Sequence, residues 1–246
     1  MDDKLFAMIP RRKSFHTFKG EMHLSADELA AVESRIGELV PLELSIQTAI
    51  RIVPREETNC KTGEYCVLFY SESKEYALYN AGYMLEQLDL WLVSQNIGAC
   101  WYGMSRPKQK TYQGLPFMIM LVIEKVDPAW FREKITDTSR KSSGEIWQGH
   151  AWSEIADIVR FAPSACNSQP WLVRASDEAL EIYRILGSRG IMPVSQVSYY
   201  NRIDMGIFFL FLTLCLREKN LAFDCKLLSD ASEGQENLIA RIEIRR

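Results

Sequence analysis

Apolar and polar positions alternate along this chain in two successive runs of the same kind. LSADELAAVESRIGELV opens with Ser25 and has Glu28 three residues on, the pattern of a capping box, then places Leu29, Val32, Ile36 and Leu39 at helical spacing. The spacing predicts a helix over 26–39. TAIRIV (48–53) and YCVLFYS (65–71) are rich in β-branched and aromatic residues and predict two strands. The charged, glycine-bearing PREETNCKTGE joins them as a turn, so they read as an antiparallel hairpin. YALYNAGYMLEQLDLWLVSQ (76–95) is apolar on nearly every face, interrupted by Glu86, Gln87 and Asp89, and predicts a helix buried on most sides. FMIMLVIEKV (117–126) reads as a strand, and the polar stretch from Asp127 to Gly149 as a linker.

The pattern then starts again. WSEIADIVRFAP (152–163) predicts a second amphipathic helix, capped by Ser153, with Ile155, Ile158, Val159 and Phe161 as its apolar residues. WLVRAS and ALEIYRI read as strands, Asp204 to Lys219 as a buried helix, and LIARIEIRR (238–246) as a last strand. Gly82 and Gly206 are read as opening the two buried helices, and Asn96 and Asn220 as closing them. Both pairs lie 124 residues apart, so the helices align without a gap. The expectation is an α+β fold of two similar halves, 1–138 and 139–246, intertwined as an intramolecular pseudo-dimer around central buried helices.

Composition narrows the partners. With 29 Lys and Arg against 32 Asp and Glu, nothing in the charge balance favours nucleic acid or an anionic membrane. Six cysteines without a CxxC pair and three histidines without ligand spacing predict no metal site. MDDKLFAMIPRRK lacks the apolar core of a signal peptide, so a cytoplasmic protein with reduced thiols is expected. The most apolar run, Met205 to Leu216, falls short of the roughly 20 residues that span a bilayer and reads as a buried helix.

Two stretches carry candidate chemistry. IPRRKSFHTF (9–18) offers Arg11, Arg12 and Lys13 followed by Ser14, a set suited to an anion and equally compatible with a solvated basic patch. APSACNSQPW (162–171) follows a helix with Pro163. Its Ser164, Ala165 and Ser168 allow close backbone approach, and Asn167 and Gln169 present amides that donate and accept at once. Such amides suit a ligand edge of alternating donors and acceptors, such as the pyrimidine half of a flavin; a turn-rich connection between helix and strand has the same composition. Cys166 in this loop reads as a packing residue.

Together the two stretches resemble the nitroreductase family. RRKSFHTF is similar to its N-terminal RRSxRxF signature, and APSACNSQPW to its PSxxNxQPW motif. The resemblance implies FMN, held in the family at the interface of an intertwined homodimer, with the basic signature at the phosphate and the PSxxNxQPW loop at the ring. In this chain about one repeat length separates the two motifs. Duplication would account for this, one half supplying the phosphate end and the other the loop.

The symmetry-related site would be lost, because ELVPLELSIQTAIR keeps Pro41 without the Asn or Gln-Pro-Trp, and EIWQGHAW offers no cation pair. One FMN per chain and a monomer are therefore expected. GACWYG (98–103) and SRKSSGEI (139–146) resemble further family features and imply Gly103 near the ring and Arg140 and Lys141 at the phosphate. His16 stands where the signature has its second arginine, and Lys13 where it has one of its first pair. The implied activity is FMN-dependent oxidation of NAD(P)H with a nitroaromatic, quinone or similar acceptor, with no catalytic side chain required. The alternative is a flavin-binding or degenerate scaffold without turnover.

Overall fold

The capping box predicted at Ser25 forms: its hydroxyl accepts the Glu28 N–H and the Glu28 carboxylate accepts the Ser25 N–H. These bonds start helix α2 (Ala26–Ile36), which follows a single turn, α1 (Leu5–Met8). The computed structural model describes residues 4–230, 234 and 236–245. The chain divides into two units, Met1–Ala77 with Met84–Asp137, and Leu78–Tyr83 with Thr138–Arg246.

In the first unit the predicted hairpin is β1 (Thr48–Pro54) and β2 (Tyr65–Ser71), antiparallel, with Thr48 opposite Ser71 and Pro54 opposite Tyr65. Helix α3 (Ala77–Ser94) follows, and its residues from Met84 on belong to this unit. Then come β3 (Ile97–Trp101), β4 (Thr111–Tyr112) and β5 (Leu115–Lys125). The sheet runs β1-β2-β5-β3, with β4 on β5. β3 was not expected. It follows α3 after only Gln95 and Asn96, and Asn96 turns the chain at φ 56°, so no spacer separates helix and strand patterns. Phe15, Leu68, Tyr70, Met120, Val122 and Phe131 pack in one core cluster. Phe131 lies within the predicted linker, which therefore begins as part of this unit's core.

The rest of that linker is structured as well. α4 (Ser143–Ile146) carries its own capping box from Ser142 and Glu145, and β6 (Trp147–Gln148) pairs parallel with the strand at Trp171. Both are too short to leave a periodic signal. α5 (Ser153–Val159) is capped differently from the expectation: Trp152, at φ 58°, is the cap and Ser153 is the first helical residue. The second hairpin is β7 (Trp171–Ala175) and β8 (Ala179–Ile185). Helix α6 (Val194–Glu218), β9 (Ala222–Leu227) and β10 (Glu236–Arg245) complete the unit, in a sheet ordered β6-β7-β8-β10-β9. Arg246, the end of the predicted last strand, lies outside the described residues. Disregarding β4 and β6, each unit has the same strand order: two hairpin strands, then the last strand, then the strand that follows the long helix.

Helix α6 starts ten residues before the predicted Asp204, because SQVSYYNRI carries polar groups that mask its helical face. By length and composition it could cross a membrane, yet 89% of its most apolar stretch is buried in the fold. Gly82 and Gly206 lie inside their helices, where the helices cross. Added to Gly82, a Cβ would sit 2.0 Å from the Ile203 carbonyl oxygen; added to Gly206, it would sit 2.1 Å from that of Tyr79. Tyr79 and Ile203 are themselves 124 residues apart, so the contact is reciprocal. The two helices also stop in the same register, with Asn96 and Asn220 at φ 56° and 55°.

Candidate functional site

The loop after Pro163 belongs wholly to the second unit, and its shape is over-determined by internal bonds. Asn167 N–H donates to the Ser164 carbonyl, Ser168 N–H to that of Ala165, and Gln169 N–H to the Ser164 hydroxyl, each at 3.0 Å. These bonds hold Cys166, Asn167 and Gln169 at φ 51°, 55° and 46°. Left-handed backbone at residues other than glycine costs on the order of 1 kcal/mol each, least for asparagine, so the loop needs its anchors.

One anchor comes from α6. Asp204, buried, accepts the Ala165 N–H at 2.9 Å and the Ser168 hydroxyl at 3.0 Å. Burial pushes its carboxyl up to about 7, against the opposing pull of those two bonds. Behind the loop, Trp171 is fully buried and stacks on Phe208 with ring centroids 5.1 Å apart.

The second anchor is the stretch 139–141. Lys141 N–H donates to Gln169 Oε1 at 3.0 Å, and Lys141 Nζ to the Gln169 carbonyl at 2.9 Å. Burial lowers the Lys141 pKa. Asn167 Nδ2 donates to the Ser139 carbonyl at 3.3 Å, and Arg140, half-buried, donates to Thr138 Oγ1 and the Ser139 carbonyl. Two stretches that the sequence reading named separately thus meet in one cluster. Gln169 is 0% exposed, and its Nε2 has no partner among the described residues. Because the Lys141 N–H needs an acceptor, the amide cannot simply be turned over, and a donor is left unused. Asn167 and Cys166 are exposed at the tip.

In the first unit the N-terminal signature divides by burial. Arg12 is buried at 1% exposure. Its Nε and Nη2 donate to Asp89 Oδ2 at 3.0 and 2.7 Å, Glu86 Oε1 lies 3.6 Å from Nε, and Nη1 donates to Ser14 Oγ at 3.1 Å. Burial opposes the charge, but Asp89 and Glu86 outweigh it and hold the Arg12 pKa above its ordinary value. Arg12 thus lies at the centre of an internal ion pair, with Ser14 as one of its acceptors. Burial, and then Asp89, push Glu86 well above the carboxylate range, while Trp101 Nε1 donates to its Oε2 at 3.2 Å.

The other members of the signature stay nearer the surface. Arg11 is half-buried over Phe131, Lys13 is exposed and donates to the Trp130 carbonyl, and His16 is exposed with Nδ1 3.5 Å from Cys100 Sγ. Gly103 is half-buried, and its carbonyl accepts from Arg106. Asp204, Asp89 and Glu86 were missed as site residues; Glu86 and Asp89 are acidic residues inside an otherwise apolar helical run, the signal that marks a buried partner, whereas Asp204 follows the polar stretch SQVSYYNRI and carries no such mark. Among the described residues no group of three or more His, Cys, Asp or Glu could hold a metal ion.

Residues 4–215 match the family model described as "Putative TM nitroreductase". The fold is similar to the crystal structure of a "putative nitroreductase" from Thermotoga maritima, with a TM-score of 0.61 and 18% sequence identity over 98% of this chain and 93% of that one. At that identity the likeness concerns the fold alone. No curated protein sequence matches this chain.

Proposed function

The chain belongs to this nitroreductase family, and from that premise we propose that it is an FMN-dependent NAD(P)H oxidoreductase. The observation that carries the reading is the unused donor of Gln169, fully buried, in the loop that also presents the exposed amide of Asn167. A flavin's pyrimidine edge alternates carbonyl acceptors with an N–H donor, and these two amides fit it in kind. Asn167 and Gln169 would hold that edge, and the backbone of Pro163, Ser164 and Ala165 would lie close to it. Arg140 would supply a cation for an anionic group, while Lys141 acts one step back, fixing Gln169. In the first unit Arg11 and Lys13 are the signature cations still available to an anionic ligand, with His16 and Gly103 as further contacts.

When bound, FMN supplies a carrier that takes hydride from NAD(P)H and passes it to a small acceptor such as a nitroaromatic or quinone. The chain's own residues bind and orient. The loop's internal bonds preorganise its amides, and the packed Trp171 and Phe208 keep water from behind the loop. No side chain is assigned as nucleophile or proton donor. The shared strand order of the two sheets and the reciprocal glycine contact support a tandem duplication and, with it, a monomeric protein.

A second reading, a flavin-binding scaffold without turnover, is favoured by one observation: Arg12 is withdrawn into its ion pair, which leaves the N-terminal signature less cationic. The spectrum of the purified protein, with and without added FMN, tests binding, and steady-state NAD(P)H oxidation with menadione or nitrofurazone separates the two readings. A preparation that takes up no FMN refutes both. Asn167→Ala and Gln169→Ala should each weaken FMN retention by about tenfold, the worth of one well-placed hydrogen bond.

A further inference from the structure

Beneath the loop lies a carboxyl that the proposed chemistry does not use. Asp204 projects from α6, is 3% exposed, and makes two hydrogen bonds, both to the loop. The backbone at Gly187, after β8, packs against both the loop and the helix without spare room. A Cβ on Gly187 would lie 2.8 Å from Ser168 Cβ and 3.1 Å from Asn201 Oδ1. The loop's three left-handed residues lie within and just beyond the span that these bonds pin, so the bonds act on the same few residues that carry Asn167 and Gln169. We propose that Asp204 is the positioning residue of this loop, holding Ala165 and Ser168 so that the amides of Asn167 and Gln169 are presented to the ligand. The proposal rests on the flavin reading for the identity of the ligand, but not for the anchoring itself.

The chemistry of the anchor gives it a sign. Asp204 faces a backbone N–H and a hydroxyl from the loop; among the described residues no charged side chain offsets its burial. Protonated, it still accepts from Ala165 with one oxygen and can donate to Ser168 from the other, with no charge buried. Ionised, it keeps both bonds but buries an uncompensated charge. Its carboxyl is raised to about 7 in the folded state from 3.8. The closed loop therefore binds the proton more tightly than an opened one, and its hold is complete below the ordinary value and declines as pH rises through the raised one.

Hydrogen exchange of the peptide spanning 162–171, corrected for intrinsic rate and followed from about pH 5 to about pH 8, reads this directly without any flavin. In the wild-type protein, loop protection should fall by up to about tenfold per pH unit and level off above about pH 7. Asp204→Asn reproduces the protonated pattern, accepting from Ala165 and donating to Ser168, and should keep high, pH-independent protection. Asp204→Ala should lose protection at every pH. A wild-type profile that is flat, an Asp204→Asn profile with the same slope, or wild-type protection in Asp204→Ala would each overturn the proposal. Titration of free FMN by fluorescence quenching adds the ligand: wild-type affinity should weaken across the same window and that of Asp204→Asn should not. If no FMN binds at any pH, the flavin reading fails while the exchange experiment still decides the role of Asp204.

Discussion

Arg12 shows how burial decides what a residue can do. In the sequence it is one of three consecutive cations; in the fold its guanidinium is enclosed by Asp89, Glu86 and Ser14 while Lys13 next to it stays exposed. A buried ion pair contributes little net stability, because desolvation of both charges offsets their attraction, but removing one partner strands the other. Arg12→Met should therefore destabilise the protein by about 3–5 kcal/mol, since Asp89 is left buried and unpaired. Glu86→Gln should change stability at neutral pH by less than about 1 kcal/mol, because burial and the neighbouring Asp89 favour the protonated form of Glu86 and the amide oxygen can still accept from Trp101. The sign with pH follows. A carboxyl raised on folding stabilises below its ordinary value and loses that contribution as pH rises toward the raised one, so the glutamine variant should lose that part of the wild-type pH slope. Urea unfolding across pH measures both variants, and an Arg12→Met loss below about 1 kcal/mol would remove the ion pair from the account.

At the scale of elements, what could be read in advance was whatever repeats with a period. The capped helix α2, both hairpins and the core of α3 follow from spacing and from β-branched or aromatic runs, and their bounds differ from expectation by a few residues. Contact between elements leaves no period. Gly82 and Gly206 stood out in the chain as matched positions, but only the structure places each against a carbonyl of the other helix. That contact predicts an unusual sign for a helical glycine. Alanine normally improves a helix by about 1 kcal/mol over glycine. Here its methyl meets backbone that cannot rotate away, so Gly82→Ala and Gly206→Ala should each destabilise by about 2–3 kcal/mol or more. Gly144 in α4 provides the control: nothing lies within 4 Å of its missing Cβ, and Gly144→Ala should be neutral or mildly stabilising. Thermal unfolding of the three variants separates crowding from propensity. The short strands β3 and β9 escaped notice for a related reason, since each follows its long helix after two or three residues and its pairing is set by β5 or β10 further along the chain.

At the scale of the molecule, the candidate site was legible as residue types and not as roles. The sequence singled out Asn167, Gln169, Arg140 and Lys141 from separate motifs, and the fold brings them into one hydrogen-bonded cluster of the second unit. It could not tell that Lys141 serves Gln169, because that depends on a loop closing on a stretch 28 residues away. The same asymmetry between motifs makes a prediction about the whole chain. Each unit has the same strand order, yet the Asn-Ser-Gln-Pro-Trp loop occurs only in the second and the Arg-Arg-Lys signature only in the first. A protein that binds flavin through these motifs, each present once in the chain, should hold one FMN per chain. Flavin released by denaturation, measured against chain concentration, should approach a ratio of one, and sedimentation of the holoprotein should give the mass of a single 28.3 kDa chain. A ratio near two would mean that the first unit binds flavin through residues unlike the loop. A stable dimer with one flavin per chain would mean that the duplication has not replaced the intermolecular contact.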